Sequence, residues 1–134
     1  MRIISGNYKG KKILLPKDKL TRPLKDLTKE SIFNIIKHSK LLNINLDNSN
    51  ILDLFSGIGS FGLECLSRGA AYVTFLESYK DVLAVLKKNI DSMNQQNFSR
   101  VIEKDIFEEN IEESNNNSLD TFLEELADDK DKLT

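Results

Sequence analysis

The chain has 134 residues, 40% apolar and 30% charged, enough for one domain with a real core. Its net charge of −2 hides a polarity: residues 1–40 carry eleven Lys/Arg against three Asp/Glu, residues 41–102 five against six, and residues 103–134 three against twelve. No apolar run reaches the roughly 20 residues of a spanning helix, no apolar leader opens the chain, and Cys65 as the lone cysteine excludes an internal disulfide and fits a reducing, cytoplasmic setting. With only His38 and Cys65 as soft donors, a metal site is not expected.

In chain order, Arg2 to Ser5 and Lys11 to Leu15 are short strand candidates around a turn region containing Gly6-Asn7 and Lys9-Gly10, which reads as a hairpin. Thr21-Arg22-Pro23 is a break, because proline disfavours helix in the residue before it. A helix follows, with Leu24, Leu27, Ile32, Ile35 and Ile36 on one face and Lys25, Lys29 and Lys37 pointing elsewhere. Leu42 to Asn50 is a polar, Asn-rich connector.

A strand is expected at Ile51 to Phe55, a helix at Leu63 to Arg68 closed by Gly69, and a second strand at Tyr72 to Leu76. A helix follows at Lys80 to Met93, then a third strand at Val101-Ile102. The alternation predicts an α/β fold with a parallel sheet and right-handed crossovers. Ligands of such sheets bind at the carboxyl ends of the strands. Glu108 to Ser118 reads as an acidic loop. Leu119, Phe122, Leu123 and Leu126 then follow amphipathic helical spacing, with Ser118 as N-cap.

Chemistry concentrates between the first strand and its helix. Gly57-Ile58-Gly59-Ser60-Phe61-Gly62 satisfies G-x-G-x-x-G, and Glu77 lies twenty positions after Gly57, where a ribose-binding acid belongs. Glycine there permits positive φ and close ligand approach, and the following helix N-terminus supplies free N–H groups. Two acids favour S-adenosylmethionine over a dinucleotide. Asp53, ending the strand, can hold a cationic α-amino and sulfonium end where a pyrophosphate would be repelled. Asp105, after the third strand, can accept a hydrogen bond from an adenine amino group. The basic head is the composition of a surface that meets phosphate backbone.

The stretch Asp53-Leu54-Phe55-Ser56-Gly57-Ile58-Gly59-Ser60-Phe61-Gly62-Leu63-Glu64, continued by Leu66 to Ala70 and Val73 to Glu77, resembles the first motif of class I S-adenosylmethionine methyltransferases. Met1-Arg2-Ile3-Ile4-Ser5-Gly6, Tyr8-Lys9-Gly10, Thr21-Arg22-Pro23 and Glu30-Ser31-Ile32-Phe33-Asn34 narrow it to the bacterial 16S ribosomal RNA (guanine-N2) methyltransferase family, over residues 1 to about 107. The resemblance implies a Rossmann-like fold with an N-terminal hairpin and helix. It also implies methylation of the exocyclic N2 of a guanine in 16S ribosomal RNA, free or in a small subunit. The methyl donor would be held by Asp53, Gly57, Gly59, Glu77 and Asp105. Arg2, Lys9, Lys11, Lys12 and Arg22 would contact RNA. On this reading residues 1–45 form the RNA-contacting head and residues 46–134 the first half of the donor-binding domain.

One departure matters. The family's catalytic Asp/Asn-Pro-Pro-Tyr/Phe motif, which orients the target amino group and stacks on the base, has no counterpart, because the only prolines are Pro16 and Pro23. The chain is therefore expected to hold no catalytic residue and to be the N-terminal half of a longer enzyme. The first strand would then have an open edge able to take a partner chain, a second copy or its own N-terminal segment. The alternatives are a non-catalytic module binding S-adenosylmethionine or RNA, and a dinucleotide-dependent oxidoreductase. Against the latter stand Asp53, the basic head and the lack of a hydride-handling residue. Cys65 reads as a packed core residue and His38 as a helix-end charge or simple surface.

Overall fold

The computed structural model describes residues 1–18 and 24–105. The chain forms two compact units, Met1–Lys104 and Asp105–Thr134. The expected Thr21-Arg22-Pro23 break, the 108–118 loop and the helix at 119–126 lie outside the described residues. Among the described residues no helix is long and apolar enough to cross a membrane.

The first unit runs α1 (Asp26–His38), β1 (Asn50–Asp53), α2 (Ser60–Ser67), β2 (Tyr72–Leu76), α3 (Lys80–Ser92), a 3-10 turn (Gln96–Phe98) and β3 (Ser99–Ile102). The strands form a parallel sheet in the order β1-β2-β3, with Asp53 beside Phe75 and Phe75 beside Val101. This is the alternating α/β architecture read from the sequence. β2 is buried from Val73 to Leu76, as befits a parallel strand covered on both faces. Among the described residues β1 pairs on one side only, and Leu52 beside its free edge is exposed. Among the described residues the N-terminal segment does not fill that edge: its bridge is internal, Arg2 against Lys12.

Element ends differ from the expectation in a few places. β1 stops at Asp53 rather than Phe55, and α2 starts at Ser60 rather than Leu63. The glycine turn is thus shorter than its composition suggests, because Gly59, in the left-handed region, is already the N-cap. α2 ends as predicted: Gly69 takes φ +107, and Ala70 N–H donates to Cys65 O at 3.0 Å, closing the last turn. The hairpin is a single antiparallel bridge, Arg2 with Lys12, flanked by Ile3 N–H to Lys11 O at 2.9 Å and Ile13 N–H to Met1 O at 3.0 Å.

The face assignment of α1 needs correction. Leu27 is 77% exposed and Ile35 58% exposed, whereas Lys29 is fully buried with Phe33. The inward stripe is Lys29, Phe33 and Ile36, at i, i+4 and i+7. Counting apolar types hides it, because a lysine can bury its stem once its ammonium finds partners.

The core joins Ile3 and Ile13 from the N-terminal segment to Leu63, Val73, Phe75 and Leu86. Residues on both sides of position 45 therefore share one compact unit. α2 is buried almost all round, the pattern of a helix covered on every side. On its sheet side, a Cβ at Gly62 would lie 2.2 Å from the Phe75 ring, so only glycine permits this spacing. On its other side, Ser67 Oγ donates to Ser5 O at 2.6 Å and accepts from Tyr8 N–H at 3.0 Å.

Candidate methyl-donor site

The site forms at the carboxyl ends of β1 and β2. Ser56 N–H donates to Leu76 O at 3.2 Å and Gly59 N–H to Ser56 O at 2.8 Å, while Ser56 Oγ donates to Asp53 O at 2.9 Å. These bonds fold the chain sharply back after β1. Gly57 and Gly59 take φ +52 and +89, the left-handed region where glycine has no steric cost. Their surroundings differ. A Cβ at Gly59 would sit 2.5 Å from Leu86 Cδ1, whereas one at Gly57 would meet nothing within 4 Å. Gly59 packs the loop onto the core, and Gly57 faces open space.

Glu77 joins this loop across the sheet. Its Oε1 accepts from Gly57 N–H at 3.0 Å, and its Oε2 from Ser78 N–H at 2.8 Å and Tyr79 N–H at 3.2 Å. A carboxylate served by three backbone donors is held in one orientation, at the end of β2.

Asp53 is the opposite case. Backbone N–H groups of Phe55 and Gly62 donate to it, yet its Oδ2 is buried with no hydrogen-bond partner among the described residues. Desolvation pushes its carboxyl up to about 6, and the Glu77 charge adds to the rise. A buried, underserved acid is costly. A cation close by would return the proton-free form to favour, so the arrangement suits a cationic ligand end.

Gly57, Gly59, Glu77 and Asp53 are thus brought together around one turn. Asp105 lies three residues past β3, in the second compact unit. Among the expected RNA contacts, Arg2 and Lys12 face each other across the antiparallel bridge, and Arg2, Lys9, Lys11 and Lys12 are all exposed. Arg22 lies outside the described residues. His38 is exposed in the last turn of α1. Cys65 is buried, and burial pushes its thiol up to about 12 with the Asp53 and Glu64 charges adding, so it is inert packing.

Sequence reasoning missed a buried polar seam behind the loop. Glu64, fully buried, accepts from Ile4 N–H through both oxygens, at 2.9 and 3.2 Å, and pairs with Arg68 at 3.3 Å. The Arg68 guanidinium lies 4.3 Å over the Phe33 ring, which stacks on Phe61 at 5.0 Å. Burial lowers the Lys29 ammonium pKa, opposed by the nearby Glu64 carboxylate. One signal was visible: Glu64 interrupts Leu63-Glu64-Cys65-Leu66, a charge inside an otherwise apolar helix.

The parallel sheet, the glycine turn behind its first strand and the acid on its second define a Rossmann-like α/β fold. A solved structure named "Putative methyltransferase yhhF" from Escherichia coli superposes with a TM-score of 0.65 at 30% identity, over 78% of this chain and 52% of that one. The family described as Conserved hypothetical protein 95 matches residues 1–123, and the chain belongs to that family. Relatives named Ribosomal RNA small subunit methyltransferase D, from Buchnera aphidicola and Haemophilus influenzae, are 40% and 41% identical over 71% and 69% of this chain. These agree with the resemblance carried by head and loop. The chain spans about half the length of the curated relatives it matches, 47% and 45% of these two.

Proposed function

We propose that this chain supplies the methyl-donor and RNA-contacting parts of an S-adenosylmethionine-dependent methyltransferase acting on the exocyclic N2 of a guanine in small-subunit ribosomal RNA. The observation that carries the reading is the buried Oδ2 of Asp53, without a partner among the described residues, at the start of the turn that holds the open-sided Gly57. S-adenosylmethionine, when bound, supplies an electrophilic methyl on a sulfonium centre. The chain's residues bind and orient it. Asp53 offers negative charge to the cationic end, Gly57 lets the ligand lie against backbone, Gly59 fixes the turn, and Glu77 accepts from ribose hydroxyls through its remaining lone pairs. Asp105 accepts from the adenine amino group.

Arg2, Lys9, Lys11, Lys12 and Arg22, in the head of residues 1–45, neutralise RNA phosphates. Residues 46–134 carry the donor. The acceptor-presenting proline motif is not among this chain's residues, so donor binding without transfer is the outcome expected of this chain by itself. The free edge of β1 is where a partner strand or a second copy would add.

Calorimetric titration with S-adenosylhomocysteine and with NADH tests the reading. Saturable binding of the first and none of the second is expected. The reverse order would establish the dinucleotide alternative instead.

A further inference from the structure

Two buried polar side chains outside the ligand contacts each bond both to the glycine loop and to the N-terminal segment. Lys29 Nζ donates to Ser60 Oγ and to Arg2 O, both at 3.2 Å. Asn89 Nδ2 donates to Ile58 O at 2.9 Å and to Leu14 O at 3.2 Å, while its Oδ1 accepts from Leu14 N–H at 2.8 Å. Ile58 and Ser60 flank Gly59, the turn's packed glycine. Arg2 and Leu14 belong to the two runs that the Arg2–Lys12 bridge joins. Each run of the head is therefore tied to one side of the loop through a single fully buried residue.

Apolar side chains would fill these positions without desolvating a charge or an amide. What they would not supply is a directional link to a particular backbone atom. A hydrogen bond of fixed length between rigid segments makes a displacement of one partner a displacement of the other. The loop has little slack to absorb it, because Gly59 already lies against Leu86.

We propose that Lys29 and Asn89 are positioning residues that couple RNA contact on the head to methyl-donor binding in the glycine loop. The proposal rests on the functional reading above. RNA that holds Arg2 and its neighbours moves Ile58 and Ser60 with them, towards the geometry the donor binds. Linkage makes this reciprocal: the factor by which RNA tightens the donor equals the factor by which the donor tightens RNA.

The test titrates the full chain with S-adenosylhomocysteine, with and without a transcript of small-subunit ribosomal RNA, and then in the reverse order, at fixed salt. The expected factor is about fivefold or more and equal in both directions. Ser60→Ala removes the loop end of the Lys29 bridge while leaving Arg2 O bonded, and should bring the factor towards one. Ser60→Thr keeps the hydroxyl and should retain it, which simple packing at this position would not predict. A factor of one in the unmodified chain overturns the proposal, as does an undiminished factor in a folded Ser60→Ala. Failure to bind S-adenosylhomocysteine at all removes the functional reading and the proposal with it, whereas binding without coupling removes the proposal alone.

Discussion

The seam between head and α2 and the turn beyond β1 are built from the same materials, and they treat their buried acids in opposite ways. In the seam, both Glu64 oxygens accept from Ile4 N–H and Oε1 also meets Arg68. Lys29 likewise donates to Arg2 O and Ser60 Oγ, and Asn89 bonds to the backbone of Ile58 and Leu14. At the turn, Asp53 keeps one oxygen buried without a partner, and its carboxyl is pushed up to about 6. The seam partners its carboxylate, ammonium and amide, leaving Arg68 Nε buried without a hydrogen bond among the described residues, and serves stability. At the turn the unpartnered atom belongs to a carboxylate next to the glycine loop, which fits the proposed donor site.

Substitutions can break that contrast, the largest effect coming from the seam. Glu64→Leu leaves Lys29 and Arg68 without their buried counter-charge and Ile4 N–H without its acceptor. It should cost about 3–5 kcal/mol, read from the shift of the urea midpoint at constant m-value. A cost near zero would show that the seam carries no structural weight.

Asp53→Asn should move the other way. Its folded pKa, about 6 against an ordinary 3.8, means that the folded chain favours the protonated acid. That contribution is full below about pH 4 and is lost as pH rises through about 6, leaving an ionised, underserved carboxylate at pH 7. Removing it should stabilise the ligand-free chain by about 1–3 kcal/mol at pH 7 and by much less at pH 4, in parallel melts. Destabilisation at pH 7 would place Asp53 with the structural acids.

The glycines sharpen the comparison on a smaller scale. Gly62→Ala drives a methyl into the Phe75 ring and should cost about 1–3 kcal/mol. Gly57→Ala meets no atom and pays only for its left-handed backbone, about 1 kcal/mol. Yet Gly57→Ala should lose more donor affinity, because its open side is where the proposed donor would lie. Chemical denaturation and calorimetry on the two variants should therefore rank them in opposite orders.

Much of this was legible in the sequence, and the physical reasons mark where legibility stopped. β2, buried from Val73 to Leu76, showed itself as a short β-branched and aromatic run, Val73-Thr74-Phe75-Leu76, which fits a covered strand. The turn from Asp53 to Gly62 showed itself because glycines and an acid at fixed spacing leave few other uses. α1 was misread at Lys29, because periodicity weighs residue type and cannot see Arg2 O and Ser60 Oγ waiting for an ammonium. Asn89 was invisible for the same reason: its partners Ile58 and Leu14 are 31 and 75 positions away. Hydrogen bonds of that reach leave no local pattern.

The central claim, that Asp53 is held underserved to meet a cationic methyl donor, is tested most directly by the pH dependence of S-adenosylmethionine affinity. With a carboxyl at about 6, roughly a tenth of Asp53 is ionised at pH 5. Affinity should therefore rise about tenfold from pH 5 to pH 7 in the unmodified chain, and should be weak and flat in Asp53→Asn. Equal affinity at both pH values in the unmodified chain, or an undiminished affinity in Asp53→Asn at pH 7, would contradict the account.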